Sequence, residues 1–323
     1  MKCLREGSAV VVTGGGGFIG SHIVDELIKR GCRVTVIDNL SAGTTEYMEG
    51  YSENNRFAFI KGDIRDRALL HAAIPGKDAV IHLAAQPDVR LSASQPLLDF
   101  DINVTATLNI LEEMRQAEVP LLVFASSAGT IYGDTEVLPT PEGHPLQPIS
   151  HYGASKAACE MYLSSYAAMA GMRCVALRYG NIFGERSTHG VMHDFFFKLR
   201  RDPSCLEILG DGMQQKSYLY ISDCVQASLL AGDSDGKGMS AFNVSTAESI
   251  TVKEIAATMI DELGLSGVSL EYTGGSKGWV GDVTRTLADT SDIRSLGWKP
   301  KYTTLEGVRL YTRWLMARYG RLG

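Results

Sequence analysis

Val10-Val11-Val12-Thr13-Gly14-Gly15-Gly16-Gly17-Phe18-Ile19-Gly20 is the stretch that decides the fold. A β-branched run enters a glycine turn, and an apolar-periodic segment over residues 21–30 leaves it, so the pattern reads as strand, turn and helix. The spacing Gly14-x-x-Gly17-x-x-Gly20 lets the backbone turn tightly, approach a pyrophosphate and pack the helix on the strand, while the positive end of the helix faces the anion. Asp38 closes the next apolar run, 18 residues past Gly20. A carboxylate there accepts ribose hydroxyls and repels a 2′-phosphate, so NAD is expected rather than NADP. Arg33 begins the same run, about five residues of ~3.3 Å away, too far to reverse that preference. A glycine-rich turn with no ligand is the plainer alternative; the preceding strand, following helix and answering acid argue against it.

Outward from this stretch, short apolar runs at residues 9–13, 33–38, 56–61, 79–84, 121–126 and 173–179 alternate with segments of helical period at 21–30, 66–73, 97–117 and 152–170. Alternation of this kind predicts an α/β fold, a doubly wound parallel sheet with helices on both faces and right-handed crossovers. After Gly180 the pattern loosens around glycine and proline joints, leaving isolated helical stretches such as 252–263. Residues 1–180 are therefore expected to form a dinucleotide-binding domain, and 181–323 mainly a smaller substrate lobe interleaved with it.

Composition limits the function classes. The chain has 323 residues, 45% hydrophobic and 21% charged, as in ordinary globular proteins, with a net charge of −6 and no basic run that would mark a nucleic-acid footprint. No apolar run approaches the ~18 residues of a membrane span, and the first residues lack a signal-peptide centre, so a cytoplasmic protein is expected. Six cysteines form no C-x-x-C pair and read as reduced, buried thiols. His189 and His193 would share a helix face, but without an intervening glutamate an incidental pair is the better reading, and no metal is expected.

Ser150-His151-Tyr152-Gly153-Ala154-Ser155-Lys156 opens a helical stretch and places Tyr152 and Lys156 on one face. A tyrosine acting as a base near neutral pH needs its phenolate stabilised, which an ammonium and a positive nicotinamide ring both do. By itself Tyr-x-x-x-Lys is an ordinary surface pair; its place after a dinucleotide motif and a strand ending in Ser126-Ser127 raises it.

With these motifs the chain resembles an extended short-chain dehydrogenase/reductase of the NAD-dependent epimerase/dehydratase family, with a Rossmann-type domain, and is similar to the UDP-glucose 4-epimerases. The resemblance spans nearly the whole chain, through residues 13–22, 38–43, 62–64, 80–86, 124–133, 152–156, 178–184, 209–223 and 281–292. It implies cofactor contacts at Phe18, Ile19, Asn39, Ser41, Gly43, Gln86 and Asn103. It also implies that Asp63 and Ile64 hold the adenine, that Leu83, Ala84 and Ala85 pass the pyrophosphate and nicotinamide ribose, and that Tyr179 approaches the nicotinamide. Val191, Asn181, Lys216, Tyr218 and Asp282 would surround the sugar nucleotide. Asn181 as a turn cap and Lys216 as a solvated charge are the bland alternatives.

Two departures from the family pattern stand out. Ala128 occupies the place of the usual third hydroxyl, so Ser127 or Thr130 must reach the sugar oxygen, with Ser127 favoured. Trp279, with Lys277 upstream, replaces a phosphate-binding arginine, and Lys216 stands where arginine is commoner, so point charges replace a bidentate fork. Gly129 and Thr130 stand where dehydratases and decarboxylases carry acids, which leaves return of the hydride and hence 4-epimerisation of a UDP-glucose/UDP-galactose type. The rivals are a UDP-glucuronate or UDP-N-acetylhexosamine 4-epimerase, another dehydratase or reductase of sugar nucleotides, and a non-catalytic NAD-binding scaffold. For the uronate reading, Arg186 and His189 are the candidate carboxylate contacts. The apolar faces of 97–117 and 152–170 resemble those with which similar enzymes form homodimers.

Overall fold

A computed structural model of the chain describes residues 3–275 and 285–322. Seven parallel strands form the central sheet in the order β11-β6-β5-β4-β1-β2-β3. These are β1 Ala9–Thr13, β2 Arg33–Asp38, β3 Phe57–Lys61, β4 Ala79–His82, β5 Leu121–Ser127, β6 Arg173–Tyr179 and β11 Met239–Val244. The small strands β7 Asn181–Phe183, β8 Cys205–Ile208, β9 Gln215–Lys216, β10 Tyr218–Tyr220, β12 Ile250–Thr251, β13 Ser269–Tyr272 and β14 Arg285–Thr286 pair among themselves beyond its carboxyl edge.

The helices are α1 Phe18–Lys29, α2 Arg67–Ala73, α3 Val89–Ser94, α4 Pro96–Phe100, α5 Ala106–Gln116, α6 Ala128–Ile131, α7 His151–Ala170, α8 Val191–Arg201, α9 Ile221–Asp233, α10 Val252–Glu262, α11 Ser291–Ser295 and α12 Thr304–Tyr319. Alternate residues of each strand point to opposite faces. Val10 and Val12 join α1, α8, α9, α10 and α12 in one core, whereas Val11 joins α2, α5 and α7 in the other. Both faces of the sheet are thereby covered, which is why its strands are apolar without alternation.

Strand order reverses between β1 and β4, and in a doubly wound sheet the crevice beyond the strand ends at such a switch is where a ligand settles. Gly14 at the end of β1 and Leu83-Ala84 after β4 sit there.

Several expected elements are corrected. The run over 79–84 stops being strand at His82, so Leu83 and Ala84 are free to form the crevice wall. The stretch 97–117 is not one regular helix: a π-helical turn at Asp101–Thr105 separates α4 from α5 and widens the backbone around Asn103. The second half of the chain is more regular than its joints suggest, since α8, α9 and α12 bury apolar stripes and β11 extends the main sheet through β6. His193 lies in α8, but His189 precedes the helix, so the two do not share a helix face. No group of three or more potential metal ligands occurs among the described residues, nor any helix long and apolar enough to cross a membrane.

Candidate active site

The glycine turn is shaped by contact. A Cβ at Gly20 would lie 2.1 Å from the Gly14 carbonyl oxygen, and one at Gly14, whose φ is +72°, would lie 2.6 Å from the Ala84 nitrogen. Only glycine leaves this cradle open at the amino end of α1. Asp38 is buried, and its two oxygens accept the backbone N–H groups of Gly16 (2.9 Å) and Leu40 (2.7 Å). A carboxylate has about four lone-pair sites, so acceptor capacity remains for ribose hydroxyls. Gly43 packs on Gly16, where a Cβ would meet backbone at 2.8 Å. These residues fit a dinucleotide.

Around the expected adenine end, Asn39 donates to Asp63 at 3.2 Å, and the Ser41 N–H bonds back to the Asn39 side chain. Asp63 also receives three bonds from Arg65, two from the guanidinium and one from its backbone N–H, and Arg65 holds the Asp63 carboxyl down at about 2. Each Asp63 oxygen thus accepts twice, and an adenine amine would have to displace one of these donors to reach it. Ile64 is buried beside it.

On the nicotinamide side, Ala84 bonds through its N–H to the Thr13 hydroxyl, and Gln86 through its N–H to Asn103 Oδ1 at 2.9 Å. Asn103 also donates to Asp99 and Ser155, so the π-helical turn is bonded to both the β4 loop and α7. Phe18 and Ile19 begin α1 and pack on the larger core. Tyr179 ends β6, in register with Ser127 of β5, but its side chain is buried and its hydroxyl pairs with Ser228 at 2.8 Å. Any contact of Tyr179 with a cofactor is therefore through its backbone or ring rather than its hydroxyl.

Tyr152 and Lys156 share one face of α7, with the Lys156 ammonium 5.7 Å from the centre of the Tyr152 ring and 4.8 Å from that of Phe124. Lys156 is buried and donates to the Ala125 carbonyl oxygen at 2.9 Å. Burial pushes the Tyr152 phenol above its ordinary value, reinforced by Asp99 and Cys159, and burial pulls the Lys156 ammonium below its own. Ser127 caps α6, and Thr130 donates its hydroxyl hydrogen to the Ser127 oxygen at 2.9 Å. That bond leaves the Ser127 hydrogen free to point elsewhere. Beyond Ser127, a cavity is lined by Ala128, Gly129, Gly180, Ser217, Ser245 and Thr286, among others, and the buried Ser245 hydroxyl has no hydrogen-bond partner among the described residues.

Asn181, Lys216 and Tyr218 come together on β7, β9 and β10: Tyr218 is in register with Asn181, whose amide donates to the Ser217 carbonyl oxygen at 3.0 Å. Val191 opens α8. Asp282, Trp279 and Lys277 lie outside the described residues. Arg186 bonds Asp25 at 2.7 Å and lies 4.7 Å over the Tyr47 ring, so it braces α1 rather than facing the sugar side. Sequence reasoning missed Asp99, the buried His82 between Thr13 and Thr107, and the pair Glu160–Arg178. Only Glu160 carried a signal, continuing the i, i+4 stripe of Tyr152 and Lys156.

A glycine cradle at the sheet's switch point, with a half-buried tyrosine and a buried lysine on α7 held against β5, defines a nucleotide-cofactor enzyme of the Rossmann class. The chain belongs to the NAD dependent epimerase/dehydratase family, whose model matches residues 10–245. It is an enzyme that uses NAD. The UDP-glucose 4-epimerase of Mycolicibacterium smegmatis is 33% identical over 303 residues, covering 92% of this chain and 95% of the relative. A crystal structure of the Thermus thermophilus UDP-glucose 4-epimerase complexed with NAD superposes with a TM-score of 0.84 at 36% identity, over 94% and 98% of the two chains. The UDP-N-acetylglucosamine 4-epimerase of Methanobrevibacter ruminantium, in complex with UDP-N-acetylmuramic acid, gives 0.89 at 33% identity, over 97% and 100%.

Proposed function

We propose that this enzyme inverts C4 of a UDP-hexose, interconverting UDP-glucose and UDP-galactose or a close analogue through a transient 4-keto sugar. The single observation that carries the reading is the Lys156 ammonium, 5.7 Å from the Tyr152 ring centre and bonded to Ala125 of β5, the strand that runs on into the bonded Ser127 and Thr130 hydroxyls in a segment, 127–131, with no carboxylate. NAD, when bound, accepts the C4 hydride and returns it, and its positive ring favours the phenolate.

Tyr152 takes the proton from the 4-hydroxyl and gives it back, and Lys156 holds the phenol acidic enough to do so. Ser127, whose oxygen already accepts from Thr130, donates its own hydrogen to the 4-oxygen. Ala128, Gly129, Thr130 and Ile131 supply no acid or base for C5 or C6, so elimination has no agent and the keto sugar waits for its hydride. Return to the opposite face inverts C4. Asn181, Lys216, Tyr218 and Val191 hold the nucleotide side in this reading, joined by Asp282. The commitment of Arg186 to Asp25 favours a neutral hexose over a uronate.

The same reading includes a homodimer. Leu97 (84% exposed), Phe100, Met161 and Met169 (87% exposed) stand on the adjacent helices α4 and α7, a more apolar surface than a lone protomer needs.

Purified protein incubated with UDP-galactose, UDP-glucuronate and their N-acetyl relatives is followed by NMR. Appearance of the C4 epimer of a hexose substrate supports the proposal. An NAD-loaded protein that leaves every sugar nucleotide unchanged rejects it and favours a scaffold.

A further inference from the structure

We propose that Glu160 and Arg178 are a positioning pair for the reaction, fixing the separation between Tyr152 on α7 and the Ser127 and Thr130 hydroxyls at the end of β5. The role in turnover rests on the epimerase reading above; the mechanical tie does not.

Tyr152, Lys156 and Glu160 follow one another at four-residue steps along α7, so Glu160 extends the catalytic face by one turn. Its carboxylate is fully buried and accepts three ways. Arg178 on β6 meets it with Nε and with Nη2 at 2.6 Å, while the Ser126 hydroxyl donates to Oε1. Ser126 precedes Ser127 and points to the other side of the strand, so this bond holds the carboxyl end of β5 against α7. Arg178 uses its remaining arm, Nη1, to reach the Tyr132 hydroxyl at 2.9 Å and the Glu142 carbonyl oxygen at 2.7 Å. Tyr132 ends the helix that Ser127 begins, and it donates in turn to Asn243 of β11 at 2.8 Å. Two side chains therefore connect the phenol's helix, both ends of the segment that carries Ser127 and Thr130, and the neighbouring strand.

A buried ion pair of this kind adds little net stability over apolar residues of the same size, because desolvation offsets attraction. What it supplies is geometry. The forked guanidinium has fixed donor directions, and a displacement of about 1 Å between reacting groups can cost about a hundredfold in rate.

The test uses Glu160→Gln, which keeps an acceptor for Ser126 but loses the charged fork; Arg178→Lys, which keeps the charge but cannot span Glu160, Tyr132 and Glu142 together; and Ser126→Ala, which removes one hydroxyl. Each NAD-loaded variant is assayed with the sugar nucleotide that the native enzyme turns over, and amide hydrogen exchange is compared with the native protein. The expected result is a kcat lower by about 10- to 100-fold in Glu160→Gln and Arg178→Lys, with KM and NAD content nearly unchanged. Faster exchange is expected over 126–132, with unchanged exchange over 156–166. Ser126→Ala should show a smaller loss of the same kind.

Native kcat in either folded charge variant, unchanged exchange over 126–132, or a rise in KM that matches the fall in kcat overturns the proposal. Should the charge variants not fold, Ser126→Ala decides: native exchange and turnover there refute the tie. A native protein that epimerises nothing refutes the functional reading alone, because the exchange comparison still judges the tie.

Discussion

The Lys156 ammonium stands 5.7 Å from the centre of the Tyr152 ring, one helical turn away, while donating to the Ala125 carbonyl oxygen. Burial raises the phenol, and Asp99 and Cys159 add to the rise; an ammonium brought close to a phenolate acts in the opposite direction. The rate should therefore climb with pH as the phenol loses its proton. In Lys156→Met the climb should move to higher pH, because the helping charge is gone. Tyr152→Phe should lose about 10²- to 10⁴-fold in kcat while keeping its NAD. A pH–rate series with cofactor content measured on the same samples checks both, and a Tyr152→Phe enzyme of native rate rules the phenol out.

The bond from Thr130 to Ser127 ranks the two hydroxyls. Ser127→Ala removes the proposed donor to the sugar oxygen and should reduce kcat by about 10²-fold, the scale of a lost transition-state donor. Thr130→Val only frees the Ser127 oxygen and should cost about tenfold less. Steady-state kinetics of the two variants decide; the reverse ranking would transfer the role to Thr130.

His82 is buried between the Thr13 and Thr107 hydroxyls, and burial, with a contribution from Lys156, pulls its pKa from 6.5 to about 3. In the unfolded chain the ring takes up a proton near 6.5, whereas the folded chain refuses it until about 3. The unfolded state then binds more protons, so stability is full above about 6.5 and falls as the pH drops toward 3. Melting temperatures measured from neutral pH downward should decline, and His82→Gln should decline less steeply. Parallel lines for the two proteins would show that His82 is not the group responsible.

Met161 is 58% exposed on α7, which packs against α4 with its exposed Phe100. Met161→Glu puts a charge in the middle of the proposed self-complementary contact, and should convert a dimer to a monomer in sedimentation equilibrium with little change in fold. A native protein that sediments as a monomer dismisses the contact altogether.

The parallel sheet, the glycine turn and the Tyr/Lys face were legible because each is written in neighbours: β-branched runs, residues three apart in a tight turn, residues four apart on one helix. The π-helical turn at Asp101–Thr105 was not, since its surroundings repeat with ordinary helical period and only the bonds of Asn103 to Gln86, Asp99 and Ser155 distinguish it. β11 was hidden in the same way. Its six residues carry no turn chemistry of their own, and their place beside β6 depends on α9, which packs against both strands.

Local order of the chain determined the α/β class, the glycine turn with Asp38 behind it, and the shared helix face of Tyr152 and Lys156, because all three depend on spacing within a few residues or one crossover. Tertiary structure decided what each distant side chain is bound to. It gave Arg186 to Asp25, closed the Tyr179 hydroxyl onto Ser228, set Thr130 behind Ser127, and buried Glu160 against Arg178. Apart from Thr130 and Ser127, these pairings join residues 18, 49 and 161 positions apart, where hydrogen-bond direction and burial select the partner and no sequence period records the choice.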